Sequence, residues 1–369
     1  MPAASNLPCL IHELCTACDR MDRTANQQLE EKATRVSKAL GCAVDEVHAS
    51  PKALAYRARV DMKVGLDGKL GYYRPRTHEH VTVPECVIAR PELNEVIGRL
   101  PTLHGLSALE LRSDGEKVVL HAKLGSRRTQ TSPAGKGATG RRGSNSSQSK
   151  KGLIRQIKTL FGTPGRLQDL GVSGVAVQGK PVLGDCTIQV AAGGVTHGVS
   201  PGSFYQVNLE VNDRLVERVG RATRQYSPTV VLDLYAGIGN LSLPLAKSGV
   251  AVTQLEIAGS STRDAERTTV REGLNVTICN DDAGRFQAGD HFFDVAILDP
   301  PRAGAPGVLE QLILTRPRAL LYVSCDPKSL ARDLRRIQGK GYRIASLEIF
   351  DMFPQTSHVE TLCILERSN

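Results

Sequence analysis

The residue best placed to do covalent chemistry is Cys325. It lies in Ala319-Leu-Leu-Tyr-Val-Ser-Cys-Asp-Pro327, where an apolar run meets the start of a helix. The positive end of a helix favours a thiolate, so Cys325 is expected to have a lowered pKa and to act as a nucleophile. Two other motifs also sit at the edge of apolar runs. In Leu298-Asp-Pro-Pro-Arg302 two prolines stiffen the backbone and present Asp299, whose carboxylate can hydrogen-bond a planar heterocycle. Standing alone, that Asp-Pro pair would read as an ordinary helix start. In Asp351-Met-Phe-Pro-Gln-Thr-Ser-His-Val-Glu-Thr361 an irregular loop places His358 and Glu360 beside another apolar run, and either can serve as a general base.

A binding loop accompanies these groups. Val230-Val-Leu-Asp-Leu-Tyr-Ala-Gly-Ile-Gly-Asn240 reads as a strand, a tight turn at Gly237 and Gly239, then a helix. Glycines let a ligand approach the backbone at the carboxyl end of a strand. Glu256 ends the next apolar run and can accept both hydroxyls of a ribose. A dinucleotide fingerprint would need a third glycine, and position 242 is serine. The loop therefore fits a nucleoside without a pyrophosphate, and S-adenosylmethionine is such a molecule.

Cysteines supply a second centre. Cys9, Cys15 and Cys18 fall within ten residues, and Cys86 follows in Val-Pro-Glu-Cys-Val-Ile. Four thiolates suit zinc or an iron–sulfur cluster, and spacing does not choose between them. Cys42, Cys186, Cys279 and Cys363 read as inert buried thiols.

These groups need a scaffold, and the 369 residues suffice for two or three domains. With 40% hydrophobic and 23% charged residues the chain is an ordinary globular one, with no apolar run long enough to cross a membrane and no secretory signal. A cytoplasmic location is expected. The net charge of +9 is uneven: residues 1–225 carry 32 Lys/Arg against 21 Asp/Glu, and residues 226–369 carry 15 against 17. The first part is expected to meet a polyanion and the second to do chemistry. Aromatics are only 4%, with no Trp, which favours RNA gripped by its phosphates over a broad stacking platform.

Along the chain, residues 1–23 form a Cys-rich segment and 24–50 a helix expected to pack on the catalytic domain. Residues 51–200 read as a central α+β RNA-binding domain, in which 54–125 alternate strand-like runs with turns. It carries a flexible basic insertion at 126–152, with seven Lys/Arg and no acid. In residues 201–369 strands near 230–234, 251–257, 293–298, 319–324 and 343–350 alternate with helices, which predicts an α/β domain with a mostly parallel, doubly wound sheet.

Together these motifs resemble a known family, the S-adenosylmethionine-dependent RNA uracil-C5 methyltransferases. The resemblance runs from Cys9 to Glu366. It rests on Ser203-Phe-Tyr-Gln-Val-Asn208, Asp233-Leu-Tyr-Ala-Gly-Ile-Gly-Asn240, Asp299-Pro-Pro-Arg302, Val323-Ser-Cys-Asp-Pro327 with Leu330-Ala-Arg-Asp333, and the Asp351–Glu360 motif. It implies a Rossmann-like methyltransferase domain. It also implies Cys325 as nucleophile, Glu360 as base, and cofactor or uracil contacts from Gln206, Tyr235, Gly237, Asn240, Glu256, Asp282 and Asp299, with Asp281 as the alternative to Asp282. The set Cys9, Cys15, Cys18 and Cys86 is similar to the branch that holds a [4Fe–4S] cluster and modifies 23S ribosomal RNA. The chain begins almost at these cysteines, which matches the short form without an N-terminal β-barrel. One departure is Asp326, where relatives often show Asn; it is expected to cap the following helix.

The implied reaction is transfer of a methyl group to C5 of a uridine through a Cys–C6 adduct, with RNA as partner and no obligate protein partner. The competing readings are a tRNA-directed enzyme, an amino-methyltransferase and a non-enzymatic iron–sulfur RNA-binding protein. Arg302 in place of an aromatic residue, together with Cys325, speaks against the amino-methyltransferase.

Overall fold

A computed structural model of the protein describes residues 8–9, 11–15, 17–123, 149–289 and 291–368. The chain opens with α1 (Ala25–Leu40) and β1 (Glu46–His48). Thr24 and Gln27 cap α1 reciprocally, and left-handed Gly41 ends it. Its Val36 packs into the catalytic core, its backbone lies along α9 (Pro327–Arg335), and β1 adds in parallel to β16 (Tyr342–Phe350).

The central domain runs β2 (Arg59–Val64), β3 (Leu70–Tyr73), β4 (His80–Thr82), α2 (Pro91–Arg99), β5 (Ala108–Ser113), β6 (Val118–Lys123), α3 (Lys150–Phe161), α4 (Arg166–Leu170), β7 (Gly174–Val177) and β8 (Lys180–Gly184). Its sheet order is β4-β3-β2-β5-β6-β7-β8, antiparallel except for β6–β7. Leu93, Val96 and Ile97 of α2 and Leu153, Ile157 and Phe161 of α3 cover one face of this sheet. The sequence reading placed only strands and turns in 54–125. It passed over α2, whose start is set by Pro91 and whose buried residues recur at helical spacing. The basic insertion expected at 126–152 lies outside the described residues up to 148. Its last residues are not loop, because Ser149 accepts from the Gly152 N–H and Lys150–Gly152 begin α3.

The hairpin β9 (Ile188–Ala192) and β10 (Val195–Val199) precedes the expected domain boundary at 200/201, yet packs on the catalytic helices. That domain then runs α5 (Leu209–Arg224), β11 (Val230–Leu234), α6 (Leu243–Lys247), β12 (Ala251–Leu255), α7 (Gly259–Glu272), β13 (Val276–Cys279), β14 (Val295–Leu298), α8 (Val308–Leu312), β15 (Ala319–Ser324), α9, β16 and β17 (Glu360–Arg367). The eight-stranded order is β1-β16-β17-β15-β14-β11-β12-β13. Every pairing is parallel except those of β17, which runs antiparallel between β15 and β16. Leu232, Ala296, Leu320 and Cys363 face one layer of helices, while Val231, Ile297, Leu321 and Ile364 face the other. A sheet buried on both faces explains the continuous apolar runs in the sequence.

Candidate active site and cysteine quartet

Strand register assembles the site. Leu255, Leu234, Leu298 and Tyr322 are neighbours across β12, β11, β14 and β15. The residues just beyond those carboxyl ends, Glu256, Tyr235 and Asp299, therefore stand side by side. Ser324 pairs with Thr361 across β15–β17, so Cys325 and Glu360 meet although 35 positions separate them. All five line one cavity of about 770 Å³, together with Gln206, Gly237, Asn240 and Asp282. Asp281 is not among its lining residues.

The glycine turn forms the cofactor end. Gly237 and Gly239 have φ of 59° and 81°, and a Cβ at Gly239 would fall 2.5 Å from Leu243 Cγ. The carboxylate of Glu256 accepts from the N–H groups of Gly237 (2.9 Å) and Ala258 (2.6 Å), which fixes its direction. Asp282 caps a short turn through the Gly284 N–H. The side-chain amide of Asn240 is engaged in a reciprocal pair with Asn212 of α5 (2.8 and 2.9 Å), so it braces the turn.

The other end is acidic and largely buried. Glu360 is 2% exposed, and its Oε1 has no hydrogen-bond partner. Burial and the Asp299 charge raise the Glu360 pKa well above the carboxylate range. Burial likewise pushes Asp299 up to about 7. Cys325 departs from the expected lowered pKa. Burial, then the charges of Glu360 and Asp299, push its thiol up to about 11, and they outweigh Arg302 and a backbone N–H hydrogen bond at Cys325. Asp326 does cap α9, accepting from the Ser329 N–H at 2.7 Å. His358 is exposed, with Arg302 Nη2 3.5 Å from its ring nitrogens.

The segment carrying Gln206 is clamped from both domains. Asp264 of α7 accepts from the Ser200 N–H, the Ser200 hydroxyl and the Ser203 hydroxyl at 2.8, 2.7 and 2.5 Å. From the central sheet, fully buried Arg112 donates to the Ser200 and Ser203 carbonyls at 2.7 and 2.6 Å. Sequence reasoning missed this clamp, since nothing local marks Arg112 or Asp264. It also missed Arg57, Arg59, Phe204 and Phe353 on the cavity wall.

Cys9, Cys15, Cys18 and Cys86 line a second, small cavity between the N-terminal segment and the central domain. Burial is the main reason the Cys15, Cys18 and Cys86 thiols are raised, the first two to about 11 and about 12, and the charges of neighbouring thiolates in the set add to it. Asn94 holds Cys86 by its N–H and carbonyl, at 2.9 and 3.0 Å.

The family model described as tRNA (Uracil-5-)-methyltransferase matches residues 184–368. An uncharacterized RNA methyltransferase of Gloeobacter violaceus is 30% identical over 390 residues, covering 100% of this chain and 84% of the relative. The chain belongs to the RNA uracil-C5 methyltransferase family. Within it, the 23S rRNA (uracil(1939)-C(5))-methyltransferase of Vibrio parahaemolyticus is 28% identical over 373 residues, covering 97% of this chain and 81% of its own. The Pyrococcus abyssi tRNA (uracil-54, C5)-methyltransferase, solved in complex with S-adenosyl-L-homocysteine, shares the fold. Its TM-score is 0.72 at 24% identity, over 95% of this chain and 86% of that one. Family membership makes the protein an S-adenosylmethionine-dependent RNA uracil-C5 methyltransferase. No helix among the described residues is long and apolar enough to cross a membrane.

Proposed function

We propose that this enzyme methylates C5 of a uridine in 23S ribosomal RNA through a covalent adduct at Cys325. The observation that carries the covalent route is the register placing Cys325, Glu360 and Asp299 around one cavity whose far end holds Glu256. S-adenosylmethionine supplies an electrophilic methyl group at the end formed by Tyr235, Gly237, Glu256 and Asp282. Cys325, once deprotonated, adds to C6 of the uracil and pushes negative charge onto C5 and O4. Gln206 and a protonated Asp299 are the hydrogen-bond donors available for that O4. C5 then takes the methyl group. Glu360 removes the C5 proton, the C5–C6 double bond re-forms and the Cys325 sulfur leaves. A target in a loop suits this pocket, because the base must leave its stack. The ribosomal target is supported by relatives named as 23S rRNA (uracil(1939)-C(5))-methyltransferases, 28% and 30% identical to this chain.

The quartet fits a [4Fe–4S] cluster held by Cys9, Cys15, Cys18 and Cys86. An all-sulfur donor set suits soft metals. A single tetrahedral zinc would need sulfurs about 3.8 Å apart, from a zinc–sulfur bond of about 2.3 Å. Among the described residues, three donor atoms within 4.8 Å of one another occur at Glu46, His48 and Glu348 and not at these cysteines. The wider spread favours a cluster. It would cross-link the N-terminal segment to the central domain, and the reaction needs no electron from it.

RNA carrying 5-fluorouridine tests the covalent step. Fluorine at C5 replaces the proton that Glu360 would remove, so the adduct should persist on a denaturing gel. It should map to Cys325 and be absent from Cys325→Ala. A native enzyme that methylates uridine yet leaves no such species would sink the covalent route.

A further inference from the structure

We infer that Arg57, Arg59 and Arg302 form a phosphate subsite at the mouth of the cavity, which takes the backbone phosphates flanking the target uridine. This rests on reading the cavity as a uridine pocket. The three guanidinium groups come from separate places: just before β2, within β2 and just after β14. All three line the same cavity as Cys325 and Glu360.

None of them has a carboxylate oxygen within the 4.0 Å of an ion pair among the described residues. Many arginines elsewhere do: Arg218 meets Glu348 at 2.5 Å and Arg318 meets Asp294 at 2.7 Å. The contrast is sharpest across one strand pair. Arg59 of β2 lies opposite Arg112 of β5. Both lie over the Tyr205 ring, Arg112 at 4.9 Å and Arg59 at 5.5 Å, with Arg59 also 4.6 Å from the centre of Phe204; but Arg112 is consumed by the Ser200 and Ser203 carbonyls, whereas the Arg59 side chain has no hydrogen-bond partner among the described residues. Arg57 lies 5.9 Å from the Phe353 ring centre, and its Nε is buried without a hydrogen-bond partner. Among the described residues, the hydrogen-bond partner of Arg302 is the His358 ring alone, at 3.5 Å.

Leaving the half-buried guanidinium groups of Arg57 and Arg59 unpaired is costly unless an anion arrives. A planar guanidinium matches a phosphate with two parallel hydrogen bonds, and aromatic faces hold its plane. The anion cannot be the pyrimidine, which is neutral and belongs beside Asp299 and Glu360. A uridine whose base reaches that floor leaves its sugar and two phosphates at the mouth, where these arginines stand. Phe204, 54% exposed beside Arg59, offers an apolar face there.

Binding of the full chain to poly(U) over a salt series tests this without any methyl transfer. Arg59→Gln and Arg302→Gln should each weaken binding by about tenfold and lower the log–log salt slope by about one. Arg59→Lys should restore the slope. Affinity for S-adenosylmethionine, measured by calorimetry, should stay at the native value. If Arg59→Gln fails to fold by circular dichroism, exposed Arg302→Gln carries the test. An unchanged slope and affinity, a loss of cofactor affinity in its place, or no binding of poly(U) by the native protein would each overturn the subsite. Altered slopes in a protein that transfers no methyl group would instead sink the proposed function alone.

Discussion

Cys15, Cys18 and Cys86 share a raised pKa with Cys325, for different reasons. In those three, burial acts together with the charge of neighbouring thiolates. At Cys325, burial acts together with the carboxyls of Glu360 and Asp299. A buried set of thiols that repel one another is relieved by a cation, which is the state proposed for the quartet. No cation relieves Cys325 in the same way, since Arg302 is outweighed. Its negative charge becomes affordable when it moves onto the uracil ring. Under the proposed function one centre keeps its thiolates bound to metal, and the other forms a bond and releases it.

Removing the group that completes the release should give the largest change. In Glu360→Gln the adduct forms but the C5 proton stays. Turnover is expected to fall by about a thousandfold, while a covalent protein–RNA species accumulates on ordinary uridine RNA. Denaturing electrophoresis with labelled RNA checks this. Accumulation of free methylated RNA at the native rate would show that another group is the base, with exposed His358 the nearest candidate.

The quartet should answer in stability and metal content. On the proposed cluster, Cys18→Ser removes one ligand of a centre that would tie the N-terminal segment to the central domain. A loss on the order of 5 kcal/mol is expected, with lower iron content and weaker visible absorbance. Thermal melting and iron analysis read both. A variant that keeps the native melting temperature would show that the four thiols are a structural cluster of side chains only.

How much of this was legible in the sequence follows from how local each cause is. Alternating apolar runs and glycine or proline turns exposed the parallel strands, and with them the row at their carboxyl ends, because each motif is a strand meeting a turn. Cys9, Cys15 and Cys18 were legible by spacing. The antiparallel entry of β17 was not, yet it is what brings Glu360 to Cys325. Pairing direction depends on partners far along the chain. The Cys325 pKa was misjudged for the same reason: the helix end is local, while Glu360 and Asp299 arrive through the fold. Arg59 and Arg112 look alike as isolated strand arginines, and only tertiary contacts make Arg112 a clamp and leave Arg59 on aromatic faces without a carboxylate in ion-pair range among the described residues.

The smallest effect, and the one that separates the two kinds of thiol, is pH dependence. With its pKa pushed to about 11, Cys325 becomes thiolate roughly tenfold more often per pH unit through the neutral range. Glu360, raised as well, also gains its basic form as pH rises. Asp299 works in the opposite sense, because it donates to O4 only while protonated and is raised to about 7. The rate of adduct formation with 5-fluorouridine RNA should therefore climb by about tenfold per unit below pH 7 and flatten above it. Asp299→Asn keeps a neutral donor and removes the charge that raises Glu360 and Cys325. Its profile should keep climbing past pH 7, because the amide donates at every pH. A flat profile in the native enzyme would mean that Cys325 is already ionised at rest, and the contrast between the two centres would vanish. Iron retention by the quartet should move independently, falling as pH drops and protons compete for its sulfurs.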